Sequence, residues 1–259
     1  MANRQDTIGY GVALRNPPLQ QLDGSDIRAR LSRYGELGVP AVVSTKQGLV
    51  DEGSYYVCTN PVPSTVLAYG NAGSQASFSD TVPFLQIVNF GNFGDSSAKR
   101  VFPDYLKVIQ IGGTAPASTT SVQLAAVLDN QVRLSTSGTP AVHTPYNTNQ
   151  DLGAAKSGAQ VIVYTGAVAA IPVRSGSARL VGRAQLKGGP TLVLDEYSVT
   201  FGINDAQGAG GYLTTVAAYS ARMPPIAIGP NSSLTFHLWM PGAATNAFSY
   251  EYELGYWER

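Results

Sequence analysis

Phe248-Ser249-Tyr250-Glu251-Tyr252-Glu253-Leu254-Gly255-Tyr256-Trp257 carries the pattern that decides the fold. Phe248, Tyr250, Tyr252, Leu254 and Tyr256 alternate with Ser249, Glu251, Glu253 and Trp257. Successive side chains of a strand point to opposite faces, so a period of two turns one set toward a core and the other outward.

The pattern recurs upstream. Leu234, Phe236, Leu238 and Met240 alternate with Thr235, His237 and Trp239; Tyr197, Val199, Phe201 and Ile203 with Ser198, Thr200 and Asn204. Leu180, Gly182, Ala184 and Leu186 alternate with Arg179, Arg183, Gln185 and Lys187, and Val122, Leu124, Ala126 and Leu128 with Gln123 and Asp129. Residues 84–89, 105–111 and 161–164 are shorter apolar runs. Turn-rich stretches separate them, among them Gly112-Gly113, Ser135 to Pro140, Lys187-Gly-Gly-Pro190, Asn204 to Gly211 and Pro241-Gly242. Eight to ten strands with no convincing helix between them predict an all-β protein, a sandwich or barrel. The long, uneven connections favour a jelly-roll-like antiparallel β-sandwich over a propeller, and no fixed repeat argues otherwise. Residues 65–259 are expected to form this domain.

Residues 1–64 look different. Pro17-Pro18, Pro40, Pro61 and Pro63 accompany apolar residues without a period. One short helix is expected over about 25–35: Ser25 as N-cap, Ile27, Leu31 and Tyr34 on one face, and Gly35 as the stop. Arg28, Arg30 and Arg33 fall on its other faces, either as solvated charges or as a clamp on an acidic partner. The segment reads as an extended N-terminal arm that gains order from neighbours.

Composition agrees with strands and turns. The 259 residues include 28 Gly and 16 Pro but only 5 Lys and 6 Glu, the residues that usually fill helix surfaces. Charged residues make up 13%, against about a quarter in an average soluble domain. With 14 Tyr in the chain, such sparse charge suggests a surface covered by neighbouring subunits. The 17 basic and 17 acidic residues balance, so no global field draws nucleic acid or an anionic membrane. Cys58 stands alone and excludes an internal disulfide. The first residues lack the apolar stretch of a secretory signal, and no apolar run reaches membrane-spanning length.

Catalytic motifs are sparse. His143 lies in a Pro-flanked loop and His237 on the outward phase of a strand, and no Gly-x-Ser-x-Gly elbow surrounds a serine. Glu251 and Glu253 share a strand face, a spacing open to an acid–base pair but equally that of two solvated glutamates. Asp195 and Glu196 point to opposite faces and cannot act together. The Gly202–Gly211 stretch lacks both a phosphate-loop Lys-Ser/Thr and a calcium-loop ladder. The chain therefore reads as no enzyme, with no catalytic residue, metal ligand or cofactor assigned.

Surface features remain. Arg179, Arg183 and Lys187 are placed on one strand face, as a docking stripe or a solvated face. Trp239 and Trp257 fall on outward phases; were their strands neighbours, they would form a patch with His237 and the two glutamates, a subunit interface or sugar platform. Burial under a loop of the same chain is the other reading.

Met223-Pro-Pro-Ile-Ala-Ile-Gly-Pro-Asn-Ser-Ser-Leu-Thr-Phe-His-Leu238 resembles late strands of viral jelly-roll proteins. Tyr250 to Arg259 resembles the ends of tailed-phage virion proteins, and Val39 to Thr45 ahead of Asp51 to Asn60 has similar character. The likeness covers about a third of the chain and carries no strict motif. It implies a head decoration or cement protein that bridges capsomers, works as a homo-oligomer (commonly a trimer), binds the major capsid protein or other virion proteins, and is made in the host cytoplasm before joining the virion head surface. A tail-fibre or receptor-binding, glycan-binding β protein is the alternative; a polysaccharide hydrolase would need a buried carboxylate pair.

Overall fold

A computed structural model describes residues 45–62, 67–68, 77–91, 98–112, 121–135, 140–150, 156–164, 171–188, 192–202, 218–241 and 249–259. The helix expected over 25–35, with Arg28, Arg30 and Arg33, lies outside them. The described elements are one helix, α1 (Thr45–Asp51), then β1 (Tyr55–Thr59), β2 (Leu67–Ala68), β3 (Leu85–Asn89), β4 (Val101–Gly112), β5 (Ser121–Asp129), β6 (Ala141–His143) and β7 (Tyr146–Asn147). There follow β8 (Ala159–Val163), β9 (Arg179–Gly188), β10 (Glu196–Phe201), β11 (Ala218–Met223), β12 (Ser232–Trp239) and β13 (Ser249–Glu258).

The strands make two sheets. Sheet I runs β11-β10-β4-β13-β1-β7, with β2 also on β13; sheet II runs β6-β8-β3-β12-β5-β9. Setting aside β2, β6, β7, β8 and β11, eight strands remain, ordered β1-β13-β4-β10 and β3-β12-β5-β9. Along the chain these eight change sheet at every step except β5 to β9, which are antiparallel neighbours. That winding is the double Greek key of a jelly roll. The pairs are antiparallel apart from β10 with β11, where Glu196–Phe201 runs parallel to Ala218–Met223.

The period-two residues build the core. Tyr250, Tyr252, Leu254 and Tyr256 from β13, Tyr56 and Cys58 from β1, Leu106 and Val108 from β4 and Tyr197, Val199 and Phe201 from β10 face Leu85, Ile87, Leu124, Val161, Leu234, Phe236 and Leu238 of sheet II. Each large apolar side chain so buried contributes about 1.5–3 kcal/mol relative to exposure.

Two features depart from the sequence expectation. Tyr55–Thr59, placed in the N-terminal arm by the prolines that follow it, pairs with Glu253–Trp257 inside sheet I, and Leu49–Arg259 forms one compact unit. β12, expected to show one face to solvent, is buried along its whole length. Its outer face lies under loops: Tyr164 and Ile171 form a second apolar cluster with Val88 of β3 and Ile162 of β8, and Phe78, Asp80 and Arg133 cover His237, Trp239 and their surroundings. Arg133 holds this cover through Asp80 Oδ2 at 3.2 Å and Asp129 Oδ2 at 3.4 Å.

Candidate functional site

The residues singled out from the sequence do not converge. Trp239 and Trp257 lie on strands of different sheets, so the single aromatic patch does not exist. Trp239 does point away from the core, but it is only 6% exposed, with Phe78 edge-on at 5.5 Å and the Arg183 guanidinium 5.8 Å from its ring centre. Trp257 is half-buried and stacks on Phe102 at 5.6 Å. Of the basic stripe, Arg179 and Arg183 are exposed and Lys187 is buried. The cause is a bulge: Gln185 pairs with Gln123 but Lys187 with Val122, so one extra residue on β9 reverses the alternation and turns Lys187 inward.

The histidine, cysteine and glutamate side chains are occupied structurally. His237 is 1% exposed and its Nδ1 bonds the Val82 carbonyl at 3.2 Å; burial pushes its pKa down to about 4. Burial pushes the Cys58 thiol up to about 11, the opposite of an activated nucleophile. Glu253 accepts a hydrogen bond from Tyr105 on its sheet surface. Among the described residues no group of three or more His, Cys, Asp or Glu could hold a metal ion, and no helix is long and apolar enough to cross a membrane.

Two surface features emerge instead. The first is the turn from β9 to β10. Leu192, Val193 and Leu194 are 52%, 48% and 57% exposed. They are held rigidly. Lys187 Nζ reaches Asp195 Oδ2 at 2.5 Å with both side chains buried, and the Leu192 N–H donates to the same oxygen at 2.7 Å. The Leu194 N–H donates to the Gln110 carbonyl at 2.6 Å, and the Asp195 N–H to the Leu192 carbonyl at 3.0 Å. Leu194 sits at φ 75°, the left-handed region where a branched residue costs about 1–2 kcal/mol.

The second is an open groove of about 650 Å3 at the opposite edges of the sheets, where the chain passes from β6 on sheet II to β7 on sheet I. Core tyrosines of β13 support its floor. Tyr252 stacks on His143 and its hydroxyl lies 2.6 Å from Nδ1. Tyr256 bonds Ser157 Oγ at 2.6 Å, and Glu258 accepts from that hydroxyl and from the Gly158 and Ala159 N–H groups. Asn147 and Thr148 are tied to the Gly53 and Tyr55 carbonyls. Tyr146, 65% exposed, stands at the rim with exposed Gln150, Lys156 and Gln160.

Neither feature was read from the sequence. The Leu192–Leu194 run follows Gly188-Gly-Pro190 and looks like the start of the next strand. The groove residues come from two strands of three and two residues, too short to show a period. Comparison with protein-family models, curated proteins and solved structures returns no match.

Proposed function

We propose that this jelly roll is a non-catalytic structural protein of a virus particle, a head decoration or cement protein that bridges neighbouring capsid subunits. The observation that carries the reading is Leu194. It combines an exposed apolar side chain with a left-handed backbone, and neither stabilises the isolated fold. A buried ion pair and backbone bonds nevertheless hold it in place. Strain and exposure at one over-determined residue are what a contact surface retains, and a rigid apolar knob loses little entropy when a partner covers it. Two further points support the reading. The double Greek key is a winding widely used by viral coat proteins, and the sparse charge of the chain suits a surface that meets other proteins. Many copies on one particle would add modest single contacts into firm attachment.

Add-back to purified particles lacking this protein tests the proposal. Wild-type protein should bind to a fixed stoichiometry and raise the heat resistance of the heads. Replacing Leu192, Val193 and Leu194 by Ser should weaken binding at least tenfold while leaving the β circular-dichroism spectrum intact. Unchanged binding by that variant, or labelled protein found only on tails, would overturn it.

A further inference from the structure

The groove between β6, β7 and β8 has an unusual lining. Small-molecule pockets of this size are mostly apolar with a few polar anchors. Here amide and hydroxyl side chains are the commonest lining residues, together with one exposed aromatic ring. Among the described residues the lining holds one Lys and no carboxylate. Glu258 is buried behind Ser157 and engaged by it and by two backbone N–H groups.

The lining also divides cleanly into anchored and uncommitted groups. Asn147, Thr148 and Ser157 are fixed to the fold, which makes a rigid base. Tyr146, Gln150, Lys156 and Gln160 are exposed and carry no side-chain hydrogen bond to a described residue. His143 bridges the two sets. It is 7% exposed and held at Nδ1 by Tyr252, its one hydrogen-bond partner among the described residues, so Nε2 is left for the groove.

We propose that this groove is a glycan-binding cleft, in which a sugar ring stacks on Tyr146 and its hydroxyls bond Gln150, Gln160 and His143. A sugar presents an apolar ring face and a rim of hydroxyls that each donate and accept. An amphipathic tyrosine matches the face. Amides, which offer two donors and an acceptor on one plane, match the rim. A purely apolar ligand would leave these amides dehydrated and unpaired, at a cost of about 1–3 kcal/mol each. Lys156, the one Lys, Arg, Asp or Glu among the described lining residues, favours a sugar bearing a carboxylate over a neutral one.

The cleft and the Leu192–Leu194 knob lie at opposite edges of the sheets, so either activity can fail without the other. The test uses the full chain with glucose, N-acetylglucosamine and galacturonic acid hexamers as probes. The chain has only two histidines, which makes their ring 15N signals easy to assign. Saturable shifts are expected at His143 and not at the remote, buried His237. Tyr146→Ala and Gln160→Ala should each weaken binding at least tenfold, with melting temperature unchanged because both side chains are exposed. Lys156→Gln should weaken the galacturonate series alone. Binding of any series that Tyr146→Ala weakens supports the cleft, and indifference to Lys156→Gln then assigns it to neutral sugars. No saturable shift at His143 with any hexamer, or binding indifferent to both Tyr146→Ala and Gln160→Ala, overturns it.

Discussion

Lys187 and Asp195 close the β9–β10 turn from beneath, ammonium to carboxylate at 2.5 Å, with side-chain exposures of 8% and 0%. Removing one partner of such a pair strands a buried charge, which costs about 3–5 kcal/mol, whereas replacing both with apolar groups is often neutral. Asp195→Asn should therefore lower the urea midpoint sharply, and Lys187→Met combined with Asp195→Leu should recover most of the loss. Equal destabilisation by the single and double variants would show that the pair matters through packing and not through charge.

Leu194 should give the opposite sign. Glycine adopts φ near +75° without the clash that a side chain meets. Leu194→Gly is expected to change stability by a gain of about 1 kcal/mol, less the greater freedom of glycine in the unfolded chain. Leu194→Val, branched nearer the backbone, should lose stability. Thermal melts of the two variants in parallel check the ordering.

Acid should destabilise the fold through His237. Burial holds its folded pKa at about 4 against an ordinary value of 6.5; the Arg133 charge adds to the depression, while the Val82 carbonyl and Asp80 act against it. Above pH 6.5 neither state binds the proton and the residue contributes no pH dependence. Between 6.5 and 4 the unfolded chain takes the proton and the folded one does not, so stability falls with pH by about 1.4 kcal/mol per unit, to a total near 3 kcal/mol. Burial shifts His143 in the same direction. Denaturant midpoints at pH 7.5 and 4.5 should converge in His237→Gln; an undiminished acid limb in that variant would place the titration elsewhere.

Two strand glycines differ in what a methyl group would meet. At Gly255 a Cβ would lie 2.3 Å from Tyr105 Cε1 and 2.8 Å from the Tyr55 hydroxyl. Both tyrosines are tied down, Tyr105 to Glu253 and Tyr55 to Asp104 at 2.7 Å. At Gly182 the nearest atoms are the flexible thioether of Met223, at 2.6 Å. Gly255→Ala should cost about 1–3 kcal/mol, as overpacking does, and Gly182→Ala clearly less. Denaturation midpoints of the two variants decide it.

These residues also show how far the sequence reading reached. Alternation identified the inward faces of β12 and β13, because apolar side chains two apart have nowhere else to go. The winding of the sheets was anticipated from strand number and uneven loops. What lay over the outer face of β12 was illegible: Phe78 and Asp80, Arg133, and Ile171 come from three separate loops with no period, so Trp239 and His237 read as outward without any sign of their cover. Lys187 was misread for a local reason, since a single bulged residue reverses phase and leaves the spacing of charged residues unaltered. The groove depends on a chain crossing from one sheet edge to another, a relationship in space that short strands do not announce. Leu194 is more telling still: its backbone angle, which no residue identity encodes, is what makes it unusual.

The placing of β13 between β1 and β4 has a consequence for biosynthesis. Both flanking strands leave the ribosome long before their shared neighbour exists, and neither has the other as a partner. Sheet I must wait as two separate pieces with open edges, the situation in which nascent chains are most prone to pair wrongly with one another. Expression at low temperature or with a holding chaperone should raise the soluble yield by protecting those edges until the last strand arrives.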